Sequence, residues 1–399
     1  MSDPADFPFG KYNGKEAEYV LRMLSREDDG DERSWPQRFE EAFAKKLGVN
    51  YAVACNSGTS GLHMALFAAG VGPGDEVIGP ALTVIMDSYA AIHLGAVPVF
   101  ADVNPDTFNI DAADVAAKIT KKTKAILVVS LEGLCVDMDP IMALAEKHNL
   151  IVIEDSAQTL LGTYHGRQAG TIGHLGIYSF ENKKHMTSGS EGGMVVSNDP
   201  ELAMRARKFG GIGYKHMTAQ AGRTHLAMST VQDPSYERFD TIGLNYRMND
   251  ISAAVGLAQL ERLEDLVGVR NASAALFADA VRGCDWFKPQ ATPDGFVNSY
   301  YTFAAKYYGT EERGVSWKEF YNRYLEMGGD GFYGALMIPY LEPALIGQIF
   351  GTTTCEKGIC PVAEDLQSRI MQFKTNYRDS ADAEKKATIL SELIDDIGR

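Results

Sequence analysis

Ser179-Phe180-Glu181-Asn182-Lys183-Lys184-His185-Met186-Thr187-Ser188-Gly189-Ser190-Glu191-Gly192-Gly193 sets two lysines in a frame of serine, threonine and glycine. Apolar runs at 176–180 and 193–197 flank it and read as two closing strands of a sheet, so the block is a turn that presents a lysine. Toward the N-terminus, Asn149-Leu150-Ile151-Val152-Ile153 is a near-continuous apolar strand that runs into Glu154-Asp155-Ser156-Ala157-Gln158. Ligands of open parallel sheets sit beyond the carboxyl ends of strands, which places Asp155 within reach of one. Capping the next helix is the competing use of an aspartate there. Further upstream, Tyr51-Ala52-Val53-Ala54-Cys55 reads as a short buried strand. Asn56-Ser57-Gly58-Thr59-Ser60-Gly61 then opens a helical run with Leu62, Ala65, Leu66 and Ala69 on its apolar positions.

These three pieces match three chemical demands. An aldehyde cofactor such as pyridoxal phosphate needs an amine to form an imine, a carboxylate to hold a proton on its pyridine nitrogen, and donors for its phosphate. The glycine-containing turn allows close backbone approach and ends in the free N–H groups of a helix start. A single turn of this kind is more often an ordinary capped strand-to-helix connection, so the argument rests on the three together.

Together they resemble the DegT/DnrJ/EryC1/StrS sugar aminotransferase family of fold-type I pyridoxal phosphate enzymes, and the resemblance covers most of the chain. Further matching blocks are Gly72-Pro73-Gly74-Asp75-Glu76-Val77-Ile78 with Pro80, Gly95-Ala96-Val97-Pro98-Val99-Phe100-Ala101-Asp102-Val103, Asp137-Met138-Asp139-Pro140-Ile141, and Gly243-Leu244-Asn245-Tyr246-Arg247-Met248-Asn249-Asp250 followed by Ala253-Ala254-Val255-Gly256-Leu257-Ala258-Gln259-Leu260. The order of the blocks is far more specific than any one of them.

The resemblance implies that Lys184, not Lys183, forms the imine and moves the proton in catalysis, and that Asp155 pairs with the pyridinium nitrogen. It implies Gln158 near the ring's phenolic oxygen, Gly58, Thr59, Ser60 and Ser179 around the phosphate, and Asn245 reaching the phosphate from a neighbouring subunit, so that a homodimer shares the site. At Val84 the family usually places an aromatic ring that stacks on the cofactor; an aliphatic side chain forgoes roughly 1 kcal/mol of stacking. Ser190 reads as an inserted residue in the run that follows the lysine, a bulge that re-aims nearby side chains. The segment 214–240, with Lys215, His216, Arg223, His225 and Arg238, is longer than is usual for the family and reads as a substrate-recognition loop or a solvated excursion.

The rest of the chain is consistent with a cytoplasmic enzyme. It has 399 residues, 45% hydrophobic, and a formal net charge of -15, with a pI near 5.0. Such an acidic balance speaks against nucleic acid or an anionic membrane surface as partner. Cys55, Cys135, Cys284, Cys355 and Cys360 have no metal-ligand spacing, and neither do the eight histidines, so no metal is expected. The start, Met1-Ser2-Asp3-Pro4-Ala5-Asp6-Phe7-Pro8-Phe9-Gly10, lacks the pattern of a signal peptide, and no apolar run reaches membrane-spanning length.

Apolar strands at 76–79, 97–103, 124–130 and 150–154 alternate with helical stretches such as 112–119 and 140–148. This alternation predicts an α/β fold with a mainly parallel, doubly covered sheet, seven-stranded by the resemblance, in a large cofactor-binding domain over 1–270. A helix over 250–267 leads to a smaller C-terminal α+β domain over 271–399, with a strand at 300–307 and a terminal helix at 383–397. Trp317, Tyr321, Tyr324, Tyr333 and Tyr340 are core or interface residues by the usual weighting, with a sugar pocket as the alternative.

The expected activity is transfer of an amino group from an amino acid, L-glutamate foremost, to a keto sugar, with pyridoxamine phosphate as the intermediate cofactor form. A nucleotide-linked 3- or 4-keto sugar leads among acceptors, followed by a keto-cyclitol or an unlinked keto sugar or sugar phosphate. The alternatives are the family's dehydratase branch, in which a histidine replaces the lysine, and a non-catalytic relative.

Overall fold

The computed structural model describes residues 11–25, 30–220, 226–332, 336–377 and 380–399. A seven-stranded sheet organises the larger part, with β1 Tyr51–Cys55, β2 Glu76–Pro80, β3 Val97–Ala101, β4 Thr123–Val129, β5 Ile151–Asp155, β6 Leu175–Ser179 and β7 Gly193–Ser197. Their order is β1-β7-β6-β5-β4-β2-β3, and every pairing is parallel except those of β7 with β1 and β6. β4 is buried from Ala125 to Val129, as expected of a central strand with both faces covered. The register Val129↔Asp155↔Ile177 aligns the carboxyl ends of β4, β5 and β6. The hairpin from β6 to β7 holds the lysine turn at that same edge.

Helices α1 (Gly58–Ala68) and α2 (Met86–His93) follow β1 and β2. The helix expected over 250–267 is two: α3 (Asp250–Leu260), capped by Asn249 Oδ1 accepting from Ser252 N at 2.8 Å, and α4 (Leu263–Ala280), with the break at Glu261-Arg262. α4 runs continuously past Asn271, so the chain passes from one core to the other inside a helix.

The second core gathers Phe277, Trp286, Phe287, Phe303, Tyr307, Phe320 and Phe373 around an antiparallel sheet of β8 (Phe287–Pro289), β9 (Thr302–Tyr307) and β10 (Ile370–Lys374), closed by the terminal helix Ser380–Ile397. All six β9 residues are buried, so the strand does not alternate as a half-exposed one would. Leu336, Ile338, Tyr340, Cys355, Cys360 and Leu366 pack instead on the core of the large sheet, and Met337 bridges Thr83.

Trp317, Tyr324 and Tyr340 of the C-terminal region are structural. Tyr324 and Tyr340 are fully buried, and Trp317 donates its indole N–H to Ile370 O at 3.2 Å; Tyr333 lies outside the described residues. All five cysteines are buried and free of disulfides. No helix among the described residues is long and apolar enough to cross a membrane.

Candidate active site

β5 ends on Asp155, which is 3% exposed. Its Oδ1 accepts the Ala157 N–H at 2.8 Å, and its backbone carbonyl accepts the Ser130 N–H at 3.0 Å. Across from it, the β6–β7 turn carries Lys184, whose N–H bonds Glu181 O at 2.9 Å and whose Nζ lies 4.7 Å from the ring centroid of Tyr301. Burial lowers the Lys184 pKa from its ordinary 10.5, Arg270 adds to this, and Asp155, Glu181 and Glu132 pull the other way. The neutral, nucleophilic amine is therefore more accessible than on a surface lysine. Lys183 is exposed.

Arg270 of α4 clamps the turn. Its Nη2 donates to Lys183 O at 2.6 Å and Lys184 O at 3.0 Å, while Nη1 donates to Tyr301 O at 2.7 Å. His185 faces another way: Nε2 donates to Ser299 O at 2.9 Å, and burial followed by the Arg270 charge holds its pKa well below the ordinary range. It is a neutral packing residue.

At the other end of the site, Ser57 caps α1. Its Oγ accepts the Ser60 N–H at 3.1 Å, and Ser60 Oγ donates to Asn56 Oδ1 at 2.5 Å. Gly58 is required by close approach, because a Cβ there would stand 2.9 Å from Ser179 Cβ. The structure thus brings Gly58, Ser60 and Ser179 together, with Thr59 exposed beside them. The 243–248 segment runs alongside: Asn56 N–H bonds Tyr246 O at 2.8 Å, and Arg247 bridges Cys55. Asn245 is exposed on that segment, and Val84 is half-buried just before α2.

Gln158 Oε1 accepts the Glu132 N–H at 3.0 Å, which ties the segment after β5 to a buried turn. Glu132 is wholly buried at φ 58, with its carboxylate held by Thr302 and Gln372 of the second core. Burial raises its pKa. Asp87, in the first turn of α2, is 5% exposed and accepts the Thr83 hydroxyl at 2.7 Å on Oδ2.

Sequence reasoning missed Asp87 and Glu132, although each left a trace as a lone acid in an apolar run: Met86-Asp87-Ser88-Tyr89-Ala90-Ala91-Ile92 and Leu131-Glu132-Gly133-Leu134-Cys135-Val136. It also missed Tyr301 and Arg270, for which no local pattern exists.

After the lysine, Gly189 and Ser190 adopt φ 88 and 138, and the hairpin closes around them through Phe180 N–H to Gly192 O at 2.8 Å. A cleft of about 1080 Å³ lies beside the lysine turn, lined by Lys11, Tyr12, Asn182, Lys184, Arg270 and Asn376 among others. Burial, then Arg270, lowers the Lys11 pKa to about 8, against the pull of Glu181.

The 214–240 excursion is closed at its base by the Tyr214↔Phe239 bridge and by Lys215–Glu237 at 2.6 Å and Lys208–Asp240 at 2.7 Å. Within it His216 stacks on Tyr236, with ring centroids 5.2 Å apart. Arg223 and His225 lie outside the described residues. No group of three or more potential metal ligands gathers among the described residues.

Residues 15–384 match the profile of the DegT/DnrJ/EryC1/StrS aminotransferase family. The chain belongs to this family. It is 42% identical over 262 residues to the GDP-perosamine synthase of Caulobacter vibrioides, covering 65% of this chain and 66% of that protein. It is 38% identical over 274 residues to the L-glutamine:2-deoxy-scyllo-inosose aminotransferase of Streptomyces fradiae, covering 68% of this chain and 62% of that protein. The matches thus span about two thirds of the length of these curated relatives.

Among solved structures, the aminotransferase from Psychrobacter cryohalolentis superposes with a TM-score of 0.83 at 31% identity, over 96% of this chain and 97% of that one. DesV of S. venezuelae, in complex with a ketimine intermediate, superposes with a TM-score of 0.81 at 26% identity, over 96% and 95%. The architecture is that of fold-type I pyridoxal phosphate enzymes, and family and neighbours imply that cofactor or its pyridoxamine form.

Proposed function

We propose that this protein is a pyridoxal phosphate-dependent aminotransferase that moves an amino group from an amino acid, L-glutamate foremost, to a keto sugar in amino-sugar or polysaccharide biosynthesis. The observation that carries this reading is the buried carboxylate of Asp155, which ends β5 at the sheet edge where the β6–β7 turn carries Lys184 and interacts electrostatically with that lysine. The residues fit the cofactor at both ends: a buried carboxylate for the ring nitrogen, and a helix start with Ser60 and Ser179, opened by Gly58, for the phosphate.

Bound there, the cofactor supplies a carbonyl that condenses with amines and a ring that withdraws electrons from the bonded carbon. Lys184 Nζ would attach it and would move the proton to and from the substrate carbon. Asp155 would keep the ring nitrogen protonated, and its burial would make that charge pair stronger than it would be in water. Gln158 would lie near the ring's phenolic oxygen, Gly58, Thr59, Ser60 and Ser179 would hold the phosphate, and Val84 would pack on the ring face. Arg270 fixes the turn so that Lys184 returns to one place.

A nucleotide-linked 3- or 4-keto sugar is the leading acceptor, supported by the likeness to a GDP-perosamine synthase. The likeness to an inosose aminotransferase keeps a keto-cyclitol as the second acceptor, with L-glutamine as its donor. The dehydratase alternative is disfavoured because His185 is bonded to Ser299 O while Lys184 interacts electrostatically with Asp155.

A homodimer with Asn245 contributing to the partner's site is supported by the exposed apolar side chains that flank it: Phe239 at 53%, Ile242 at 94% and Leu244 at 42%. The division into a cofactor-binding unit before about residue 271 and a smaller C-terminal unit is supported by the separate aromatic core that begins at Ala274.

The deciding experiment is the visible absorbance of the protein with pyridoxal phosphate, before and after L-glutamate, in wild type and Lys184→Ala. The expected result is a cofactor band in wild type that collapses with glutamate and is missing from the variant. Persistence of the band in Lys184→Ala would overturn the lysine assignment. For the acceptor, donor consumption is measured over keto sugars with and without a nucleotide; equal turnover without it would sink the nucleotide-sugar assignment.

A further inference from the structure

The ring-nitrogen end of the site holds two carboxyl groups where the chemistry asks for one. Asp87 and Asp155 come from different elements, the first turn of α2 and the end of β5, and are 5% and 3% exposed. Their side chains meet within hydrogen-bonding reach. Asp87 Oδ2 is occupied by the Thr83 hydroxyl at 2.7 Å, and Oδ1 is buried without a partner unless it carries a proton toward Asp155. Asp155 Oδ1 is occupied by the Ala157 N–H at 2.8 Å. The charged group that both carboxyls feel is Lys184, from the β6–β7 turn. One ammonium offsets one carboxylate, and two like charges in contact away from water do not both ionise.

We propose that Asp87 is a positioning residue that holds one proton shared with Asp155, donating it from Oδ1 to the carboxylate that meets the cofactor's ring nitrogen. The inference rests on the cofactor reading above and deepens it. The pair then carries a single negative charge. When the protonated ring nitrogen faces Asp155, the shared proton stays on Asp87, so no covalent bond between heavy atoms changes and no proton need leave the site. Asp87 acts through Asp155: it orients that carboxylate and moderates its basicity.

The directions agree. Burial, then the neighbouring Asp155 charge, raises the Asp87 pKa well above 3.8. Asp155 is raised by burial and held back by the Ala157 N–H, by Lys184 and by the bond from Asp87. A carboxyl raised in the folded state stabilises the fold fully at low pH and loses that contribution as pH rises through the folded value.

The test combines two measurements on wild type, Asp87→Asn and Asp87→Ala. Asparagine donates a hydrogen bond to Asp155 without a titratable proton, whereas alanine leaves Asp155 without a donor. In the cofactor-free protein, melting temperature is followed from about pH 5 to about pH 8; wild type should fall relative to Asp87→Asn as pH rises. In the loaded protein, pyridoxal phosphate affinity and the pH titration of the bound cofactor's absorbance are measured. Asp87→Asn should bind near wild-type strength with a flattened titration, and Asp87→Ala about tenfold more weakly.

Parallel melting curves for wild type and Asp87→Asn at all pH values would overturn the shared proton, as would wild-type affinity and titration in Asp87→Ala. If Asp87→Ala does not fold, the asparagine variant still decides. Absence of any cofactor band in wild type would overturn the cofactor reading instead, and the melting comparison on cofactor-free protein would still report on the pair.

Discussion

At the 57–60 turn the groups that face the site are backbone N–H donors and hydroxyls at a helix start, with Thr59 open to solvent. At the end of β5 they are Asp155 and Asp87, withdrawn from solvent, and Lys184, half-buried on a turn that Arg270 clamps from behind. An anion at the first end meets fixed dipoles that need no counter-charge. At the second end each charge is tolerable only because another opposes it or a proton neutralises it. A change at the dipole end should therefore cost about what one hydrogen bond or one close contact costs, whereas a change at the charged end unbalances its neighbours.

The comparison breaks first at Lys184. Lys184→Ala should lower aminotransfer by on the order of 10³-fold or more, with loss of the cofactor band, measured by donor consumption and absorbance. Asp155→Ala should cost on the order of 10²-fold in turnover, because the ring nitrogen loses its buried partner. Gly58→Ala forces a Cβ to 2.9 Å from Ser179 Cβ and should weaken cofactor affinity by about tenfold while sparing the chemistry of the bound fraction, read by titration of the cofactor band. A loss at Gly58 as large as that at Asp155 would refute the contrast between the two ends.

Smaller effects sharpen it. Burial raises the Glu132 pKa above its ordinary 4.5, so its contribution to stability is complete below that value and declines as pH rises through the folded one. Glu132→Gln should remove this slope and gain on wild type by about 1 kcal/mol toward neutral pH, measured by denaturant unfolding across pH. Ser190, at φ 138, sits in backbone that glycine adopts freely. Ser190→Gly should raise stability by about 0.5 kcal/mol, with cofactor affinity unchanged.

Much of this was legible beforehand. The apolar runs that became β4, β5 and β6 announced themselves by composition, and the residues that end them, Asp155 and Ser179, inherit their place at the sheet edge from covalent order alone. Gly58 and Ser60 were legible for the same reason, as the turn after β1. The helix over 250–267 was drawn as one because Glu261-Arg262 continue an acceptable helical pattern; only packing shows the break, and only packing shows that α4 crosses residue 271. The return of residues 336–366 to the large sheet's core had no local signal, since their apolar side chains would suit either core.

Asp87 and Glu132 mark the boundary of what a sequence reveals. By itself the chain determined the fold family, the lysine turn and the carboxylate at the end of β5, because strand periodicity, glycine placement and residue order are local and survive in one dimension. The tertiary structure alone decided that Asp87 faces Asp155, that Glu132 is sealed between Gln158 and the second core, and that Arg270 holds the lysine turn. Desolvation and charge pairing depend on which distant segments close over a group, and that is a property of the packed molecule.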